Sequence, residues 1–288
     1  MKYAFIKSNK AAFSIKRMCH MLNVERSGFY SWLKRKPSKR QQTNEALDKK
    51  IIGIFEYHRS RYGSPRITDE LHDKGEYCSK NRVARRMRYL GLKAKAKKKF
   101  KVTTDSAHNL PVASNLLNRD FTATAPNQKW CGDISYVWTD EGWMYLAVVI
   151  DLYSRAVVGW SIRSTMSRQL VCDALTMALW RRGFPRGVLF HSDRGSQYCS
   201  HDYQKMLKHY GLISSMSRKG NCWDNAVAES FFHSLKTELV YAEKYATREI
   251  AKQSIFQYIE VYYNRFRRHS TIGSIAPMVF ENQYKIVV

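Results

Sequence analysis

The order of apolar segments after residue 128 is the feature that most limits what this chain can fold into. Three stretches in succession have the alternation or the continuous apolar character of strands, and a hairpin turn, Asp140-Glu141-Gly142, separates the first two. Two shorter strands then alternate with helices. The predicted strands are Trp130–Trp138, Trp143–Asp151, Ala156–Ile162, Val188–Phe190 and Leu212–Met216, and the predicted helices are Arg168–Arg182, His201–Tyr210, Asn225–Leu239 and Thr247–Phe266. This order predicts an α/β domain built on a five-stranded mixed sheet flanked by helices.

Two aspartates lie on strands that this topology makes neighbours. Asp133 lies within the first strand, and Asp193 follows the fourth strand in V-L-F-H-S-D-R-G-S-Q-Y, where Gly195 allows an immediate turn. A third acid, Glu229, lies on the helix Asn225–Leu239. Three converging carboxylates repel one another unless hard divalent cations bind them, and two such ions form a clamp for phosphoryl transfer. The pattern therefore favours a magnesium-dependent site, although a lone Asp before Gly is ordinarily a turn residue.

The helix that carries Glu229 has further polar residues at helical spacing. Asn225 precedes Glu229 by four positions, His233 follows it by four, and Lys236 follows it by seven, so all lie near one face. We predict that Lys236 and Asn225 contact DNA, with Lys236 at a phosphate beside the metals. The alternative for Lys236 is a solvated stripe.

The first part of the chain is strongly basic. Residues 1–125 carry 29 basic and 10 acidic side chains, a net charge of +19 out of +25 for the whole chain. That excess suits a polyanion such as duplex DNA. The predicted DNA-binding residues share a basic helix and a following lysine run: Arg82, Arg85, Arg86 and Arg88, then Lys97, Lys98 and Lys99. A solvated basic face is the alternative for the arginines.

These segments predict five parts of the chain. They are an N-terminal helical hairpin (1–40), a basic helix-turn-helix (41–101), a linker (102–127), a catalytic core (128–245) and a C-terminal helical extension (246–288). The basic and aromatic run Tyr263–His269 would suit contacts with the DNA backbone. Equally, its basic side chains could hydrogen-bond the last carbonyl groups of the preceding helix. Asp151, before a turn, is predicted to be a turn residue rather than a metal ligand.

Several of these motifs resemble those of one known family. G-D-I-S-Y, H-S-D-R-G-S-Q-Y and S-M-S-R-K-G-N-C-W-D-N-A-V-A-E-S-F-F-H-S-L-K resemble the D-D-E core of bacterial insertion-sequence transposases, in the retroviral-integrase superfamily. More narrowly, the chain resembles the second-reading-frame (OrfB) product of the insertion-sequence-three family. The 35 residues between Asp193 and Glu229, and the Lys seven positions after Glu229, match that pattern. The fold implied is a ribonuclease-H-like catalytic core preceded by all-α helix-turn-helix modules.

The resemblance implies a function and its requirements. It implies a transposase that cleaves DNA at the ends of an insertion sequence and transfers the strand to target DNA. Asp133, Asp193 and Glu229 would then be both catalytic residues and ligands of two Mg²⁺ ions, for which Mn²⁺ would substitute. Expected partners are the terminal inverted repeats, target DNA, the upstream-frame product or its frameshift fusion, and further copies of this chain. A ribonuclease-H-like nuclease that only hydrolyses, or a DNA-binding regulator, remain the alternatives.

The cellular setting is predicted from what the sequence lacks. The six cysteines form no C-x-x-C pair and indicate reduced thiols, the first ten residues do not have the apolar core of a signal peptide, and the longest strongly apolar run, Met144–Ile150, is too short to span a bilayer. We therefore expect a bacterial cytoplasmic, nucleoid-associated protein without a membrane partner.

Overall fold

A five-stranded mixed sheet forms the centre of the molecule. The computed structural model describes residues 1–95, 110–218 and 222–287. The strands are β1 (Lys129–Thr139), β2 (Gly142–Asp151), β3 (Val157–Arg163), β4 (Leu189–Ser192) and β5 (Ile213–Met216), in the order β3-β2-β1-β4-β5. β1, β2 and β3 pair antiparallel, whereas β4 pairs parallel with both β1 and β5. The predicted mixed sheet, with the first and fourth strands adjacent, is confirmed.

Helices cover both faces of the sheet. In β2, Leu146, Val148 and Ile150 point into one core, and Ala147 and Val149 point into the other. A strand buried on both faces is apolar throughout rather than alternating, which explains its sequence. The first core is covered by α10 (Ala226–Glu238) and α11 (Arg248–Phe256), and the second by α7 (Arg168–Arg182), α8 (Ser196–Cys199) and α9 (His201–His209).

The N-terminal residues form three short helices, one more than the predicted hairpin. They are α1 (Lys2–Asn9), α2 (Ile15–Met21) and α3 (Arg26–Lys34). Ile6 of α1 packs with Met18, Cys19 and Phe29 in a small core. The weak amphipathic pattern of α1, which buries Ile6 alone, explains why the sequence did not reveal it.

A second three-helix unit follows, as predicted. It consists of α4 (Lys39–Tyr57), α5 (Ser64–Asp73) and α6 (Lys80–Tyr89), and Leu47, Ile51, Ile67, Leu71 and Val83 fill its core. Pro65 occupies the first turn of α5, and the Ser79 hydroxyl accepts the Arg82 N–H at 3.2 Å as the N-cap of α6. We refer to α4–α6 as the helix-turn-helix module.

The C-terminal residues differ from the single predicted helix. α11 ends at Phe256 and continues as a π-helical segment, Gln257–Tyr263, whose wider turns bury Tyr258, Ile259 and Tyr263. A last helix, α12 (Pro277–Val287), follows. The predicted linker is packed rather than free over its described part: Leu117 is buried, and the Ser215 hydroxyl of β5 accepts its N–H at 3.2 Å.

Candidate active site

The parallel register of β1 and β4 places Asp133 and Asp193 at the same level. Cys131 lies opposite His191, so two further residues along each chain lead to the two aspartates. Gly132, just before Asp133, leaves room for the Phe190 ring of β4, because a Cβ there would lie 2.7 Å from that ring. After β4 the chain turns at once, and the Asp193 Oδ1 atom accepts the Gly195 N–H at 2.9 Å.

Glu229 reaches the same region from the first turn of α10. The Asn225 side chain, at the N-cap of α10, donates from Nδ2 to the Gly132 carbonyl at 3.3 Å, which joins the helix to β1 one residue before Asp133. Burial, the negative charge of Asp193 and that of Glu229 raise the pKa of the Asp133 carboxyl well above its usual range. Burial also raises the pKa of Glu229. The charges of Asp193 and Glu229 therefore both act on Asp133.

The three carboxylates are near one another but are not arranged as a finished metal cage. Across the ranges that the structure describes, no group of three or more His, Cys, Asp and Glu side chains is placed to hold a metal ion. One Asp133 oxygen instead accepts the Ile134 N–H at 2.8 Å.

Lys236 lies inside the site rather than at its rim. Its side chain is buried, and its ammonium nitrogen lies 4.6 Å from the centroid of the Tyr136 ring. Burial lowers the pKa of Lys236, and the charge of Asp133 opposes that effect. The structure thus places the ammonium where it offsets the acidic charge. Its predicted contact with a DNA phosphate stays a prediction.

Asn225 has a structural position that its sequence pattern did not indicate. It is 5% exposed, and within the described residues its Oδ1 atom has no hydrogen-bond partner. Its amide nitrogen holds β1, as described above. Direct contact with DNA stays a prediction for Asn225, whereas the bond to Gly132 is a plain positioning contact.

Asp224 is a site residue that the sequence reasoning missed. It is fully buried and accepts hydrogen bonds from the Arg218 backbone and guanidinium, from Arg119 and from Asn115, at 2.8–3.0 Å. Arg218, and then Arg119, hold the pKa of Asp224 well below its usual range. Asp224 therefore fixes the entry to α10. The only indication of Asp224 in the sequence is the Asp224-Asn225 pair before the helix, and such a pair is equally typical of a helix cap.

His191 is also buried beneath the site. Its two ring nitrogens lie 2.9 Å from the Ser215 hydroxyl and 3.2 Å from the Ser217 hydroxyl. Burial lowers the pKa of His191 to about 4, so the ring is neutral near pH 7. It connects β4 to β5 and supports the turn that presents Asp193.

The predicted DNA-binding arginines of α6 divide into two pairs. Arg86 donates from Nε to Asp48 at 2.7 Å, and Arg82 donates to Asn44 at 3.1 Å, so both bind α4. Arg85 and Arg88 are exposed. A cleft of about 510 Å³ lies between α4 and α6 and includes Arg40 together with Arg82, Arg85 and Arg86. Lys97, Lys98 and Lys99 lie outside the described residues.

Two other polar motifs are packing features. Asp151 accepts N–H groups of Asn127 and Tyr153, each at 2.8 Å, as expected of a turn residue. In the run Tyr263–His269, the Asn264 side chain bonds to both the N–H and the carbonyl of Val157, at 2.9 and 3.0 Å. Tyr263, Asn264 and Arg267 are all buried. These three side chains therefore hold the C-terminal segment on the core rather than facing DNA.

Comparisons with known proteins agree with this architecture. Residues 42–100 match the family model of an HTH-like domain, and residues 123–222 and 229–284 match two models of an integrase core domain. The chain is 54% identical to the transposase InsF for insertion sequence IS3A of Escherichia coli (strain K12) over 285 residues, which cover 98% of this chain and 99% of that protein. It is 45% identical to the insertion element IS600 uncharacterized 31 kDa protein of Shigella sonnei, over 93% of this chain and 98% of that one.

Among solved structures, the chain is similar to a chain of the simian T-cell lymphotropic virus intasome in complex with the PP2A regulatory subunit B56 gamma. Its matching chain has a TM-score of 0.47 and 15% sequence identity, over 80% of this chain and 74% of that chain. Among the described residues, no helix is long and apolar enough to cross a membrane.

Proposed function

The chain belongs to the IS3 family of InsF transposases, and from that premise we propose that Asp133, Asp193 and Glu229 are the acids that cleave and join its DNA. DNA transposition is the activity of this family, so neither a purely hydrolytic nuclease nor a DNA-binding regulator is favoured. The observation that carries the assignment is the shared register of Asp133 and Asp193, with α10 joined to β1 beside them. We also propose that the five parts of the chain meet at residues 40, 101, 127 and 245.

The residues present fit a divalent cation. Asp133 and Asp193 are half-buried and Glu229 is exposed, and the charges of Asp193 and Glu229 raise the pKa of Asp133. Carboxylates so placed are hard oxygen donors whose repulsion a cation relieves. We propose that Asp133, Asp193 and Glu229 would hold two Mg²⁺ ions, with Mn²⁺ able to replace them. When bound, such ions would promote attack on phosphorus and stabilise the leaving oxygen.

The proposed reaction has two displacements at phosphorus. In the first, water attacks the phosphodiester at the element end; the bond from phosphorus to the 3′ oxygen breaks, and that oxygen is released as a 3′ hydroxyl. In the second, this hydroxyl attacks a target phosphodiester, forms a new bond to phosphorus and displaces the target's 3′ oxygen. Lys236 would hold a phosphate in place beside the acids. Asn225 joins α10 to β1, and Asp224 holds the segment before α10 against Arg218 and Arg119.

The helix-turn-helix module and the lysine run would supply the DNA-binding surface. Arg85 and Arg88 are exposed on α6, and the +19 charge of residues 1–125 favours phosphate contact. Terminal inverted repeats and target DNA are the proposed ligands. The upstream-frame product, or its fusion to this chain, is the proposed protein partner, and assembly of several copies on DNA is expected.

One experiment tests this function directly. Labelled element ends and a target plasmid are incubated with Mg²⁺ and either this chain or its fusion to the upstream frame. Joined end–target products support the proposal. Cleaved ends that never join would favour the hydrolytic alternative, and binding without cleavage by either protein would favour the regulator.

A further inference from the structure

One buried carboxylate joins three segments of the chain that lie far apart in sequence. Glu238 is the last residue of α10 and is 6% exposed. Its carboxylate accepts hydrogen bonds from Arg267 at 2.8–3.0 Å, from the Tyr258 hydroxyl at 2.9 Å and from Arg66 at 3.3 Å. Glu238 is therefore the centre of a polar network rather than a solvated helix end.

The backbone of the same residue is also bound. The Glu238 carbonyl accepts hydrogen bonds from the Lys95 ammonium at 3.0 Å and from the Arg61 guanidinium at 3.3 Å. Arg61 in turn lies over the Tyr262 ring, 4.2 Å from its centroid. The last orphan carbonyl of α10 is thus satisfied by cations from the first half of the chain.

These donors belong to two different parts of the molecule. Arg61 lies in the turn between α4 and α5 of the helix-turn-helix module, Arg66 lies in the first turn of α5, and Lys95 lies in the basic segment that follows α6. Arg267 and Tyr258 belong to the C-terminal segment. We call this meeting point, formed by Arg61, Arg66, Lys95, Glu238, Tyr258 and Arg267, the Glu238 junction.

A second row of contacts closes the same interface. Arg268 donates to Glu70 of α5 at 3.0 Å, and its backbone N–H donates to the Tyr62 hydroxyl at 2.9 Å. That hydroxyl donates to the Phe266 carbonyl at 3.3 Å. His58 stacks on Tyr62 with 3.7 Å between ring centroids. The module is consequently seated on the catalytic core through directional bonds, which fix its orientation as well as its position.

The helix connects this junction to the acids. Glu238 lies nine positions after Glu229, about 14 Å along the helix axis at 1.5 Å per residue. It is two positions after Lys236, which is about 200° round the helix, so the two side chains point to opposite sides. A displacement of the helix end at Glu238 would therefore move Glu229 and Lys236 without any direct contact.

We propose that Glu238 is a positioning residue for the reaction, through which the helix-turn-helix module sets the place of α10 in the active site. DNA held by the module would then be fixed relative to Glu229 by one short chain of ion pairs. This rests on the proposed function. The Tyr62–Arg66 turn and the Tyr263–His269 run, which the sequence presented as separate motifs, have one shared role in it: both supply groups to this interface.

Arg66 provides the sharpest test, because its loss removes the module's bond to the Glu238 carboxylate and leaves Arg267 in place. Single-turnover cleavage of saturating DNA is measured for the unsubstituted chain, Arg66→Met and Arg66→Lys, with DNA affinity and melting temperature measured separately. Arg163→Met is the matched control, because it removes the same charge at a distant place. Arg163 pairs with Asp173 of α7, on the opposite face of the sheet from α10.

The proposal predicts a change in rate without a change in affinity. Arg66→Met should lower the cleavage rate about tenfold, because small misplacement of a catalytic group costs rate steeply, while DNA affinity and melting temperature follow the control. Arg66→Lys should recover part of the rate. Glu238→Gln should lower the rate by at least as much as Arg66→Met.

Two outcomes would overturn it. A cleavage rate equal to that of Arg163→Met would make the junction a packing contact only. Weakened DNA affinity with an unchanged rate at saturation would make Arg66 a DNA contact. Failure of the proposed function would be seen separately, as absence of cleavage by the unsubstituted chain, and this proposal would fall with it.

Discussion

Asp133 and Asp193 stand at the same level of two adjacent parallel strands, but only Asp133 remains within the sheet. β4 ends at Ser192, whereas β1 continues to Thr139. At this level α10 covers the face of β1, and Asn225 at its N-cap donates to the Gly132 carbonyl. The parallel pairing of the two strands therefore sets the aspartates side by side, and the helix packed on β1 brings the third acid to the pair.

Gly132 should be intolerant of a side chain. A Cβ in Gly132→Ala would lie 2.7 Å from the Phe190 ring and 3.3 Å from the Tyr198 hydroxyl, so these two buried side chains must shift. We expect a loss of about 1–3 kcal/mol in the free energy of unfolding, measured in urea, with reduced cleavage. Gly53→Ala in α4 is the control: nothing lies within 4 Å of its Cβ, so it should stabilise the chain slightly. Equal stability of the two variants would contradict the close approach.

Asp224 should contribute stability in a pH-dependent way. Arg218 and Arg119 lower its pKa in the folded chain, so the ionised group stabilises the fold above its unfolded pKa, near 4, and this is lost as pH falls. Asp224→Asn should therefore be less stable than the unsubstituted chain at pH 7, with a difference that shrinks below about pH 4. Thermal unfolding across pH measures this.

Asp202 provides a control for that measurement. It pairs with Arg168 at the surface, where ion pairs add little. Asp202→Asn should follow the unsubstituted chain at every pH. A stability gap for Asp224→Asn that stays constant down to the lowest pH would show that lost shape, not lost charge, is responsible.

The arginines of α6 should separate into two phenotypes. Arg85→Ala and Arg88→Ala remove exposed charges and should weaken DNA binding and reduce its salt dependence by about one counterion each, without loss of stability. Arg86→Ala leaves buried Asp48 without its partner and should lower the melting temperature of the chain. Salt titrations and melting curves on the same proteins decide between them. Identical behaviour of Arg85→Ala and Arg86→Ala would contradict the division.

Lys236 should affect strand transfer in a way that extra metal cannot repair. Lys236→Ala removes a positive charge beside Asp133, which makes the site more negative, so its affinity for a divalent cation should not fall. Strand transfer should fall at every Mg²⁺ concentration, and Lys236→Arg should retain more activity than Ala because it keeps the charge. Rescue of the Ala variant by high Mg²⁺ would place the role of Lys236 at the metals instead.

The sequence was sufficient for features that depend on local pattern. The double-sided burial of β2 left a continuous apolar run, and Asp193 followed its strand directly, so the sheet and its order could be predicted. The Glu238 junction could not, because Arg61 and Arg66 lie more than 170 positions from Glu238 and single charged residues in helices are ordinarily solvated. The sequence also did not show whether Arg267 contacts DNA or pairs inside the protein, because its partner Glu238 lies on α10, a separate element of the chain.

Cleavage by Asp193→Asn measures whether Asp193 acts in the reaction rather than in DNA binding. The amide keeps the size of the side chain but removes the charge that a divalent cation needs, while the proposed DNA-binding residues are unchanged. DNA affinity and Mg²⁺-dependent cleavage of a labelled element end are measured on the same preparation, with the unsubstituted chain in Mg²⁺ and in EDTA beside it. We expect cleavage by Asp193→Asn to fall to the level in EDTA while DNA affinity is retained; cleavage near the unsubstituted rate would show that Asp193 is not one of the catalytic acids.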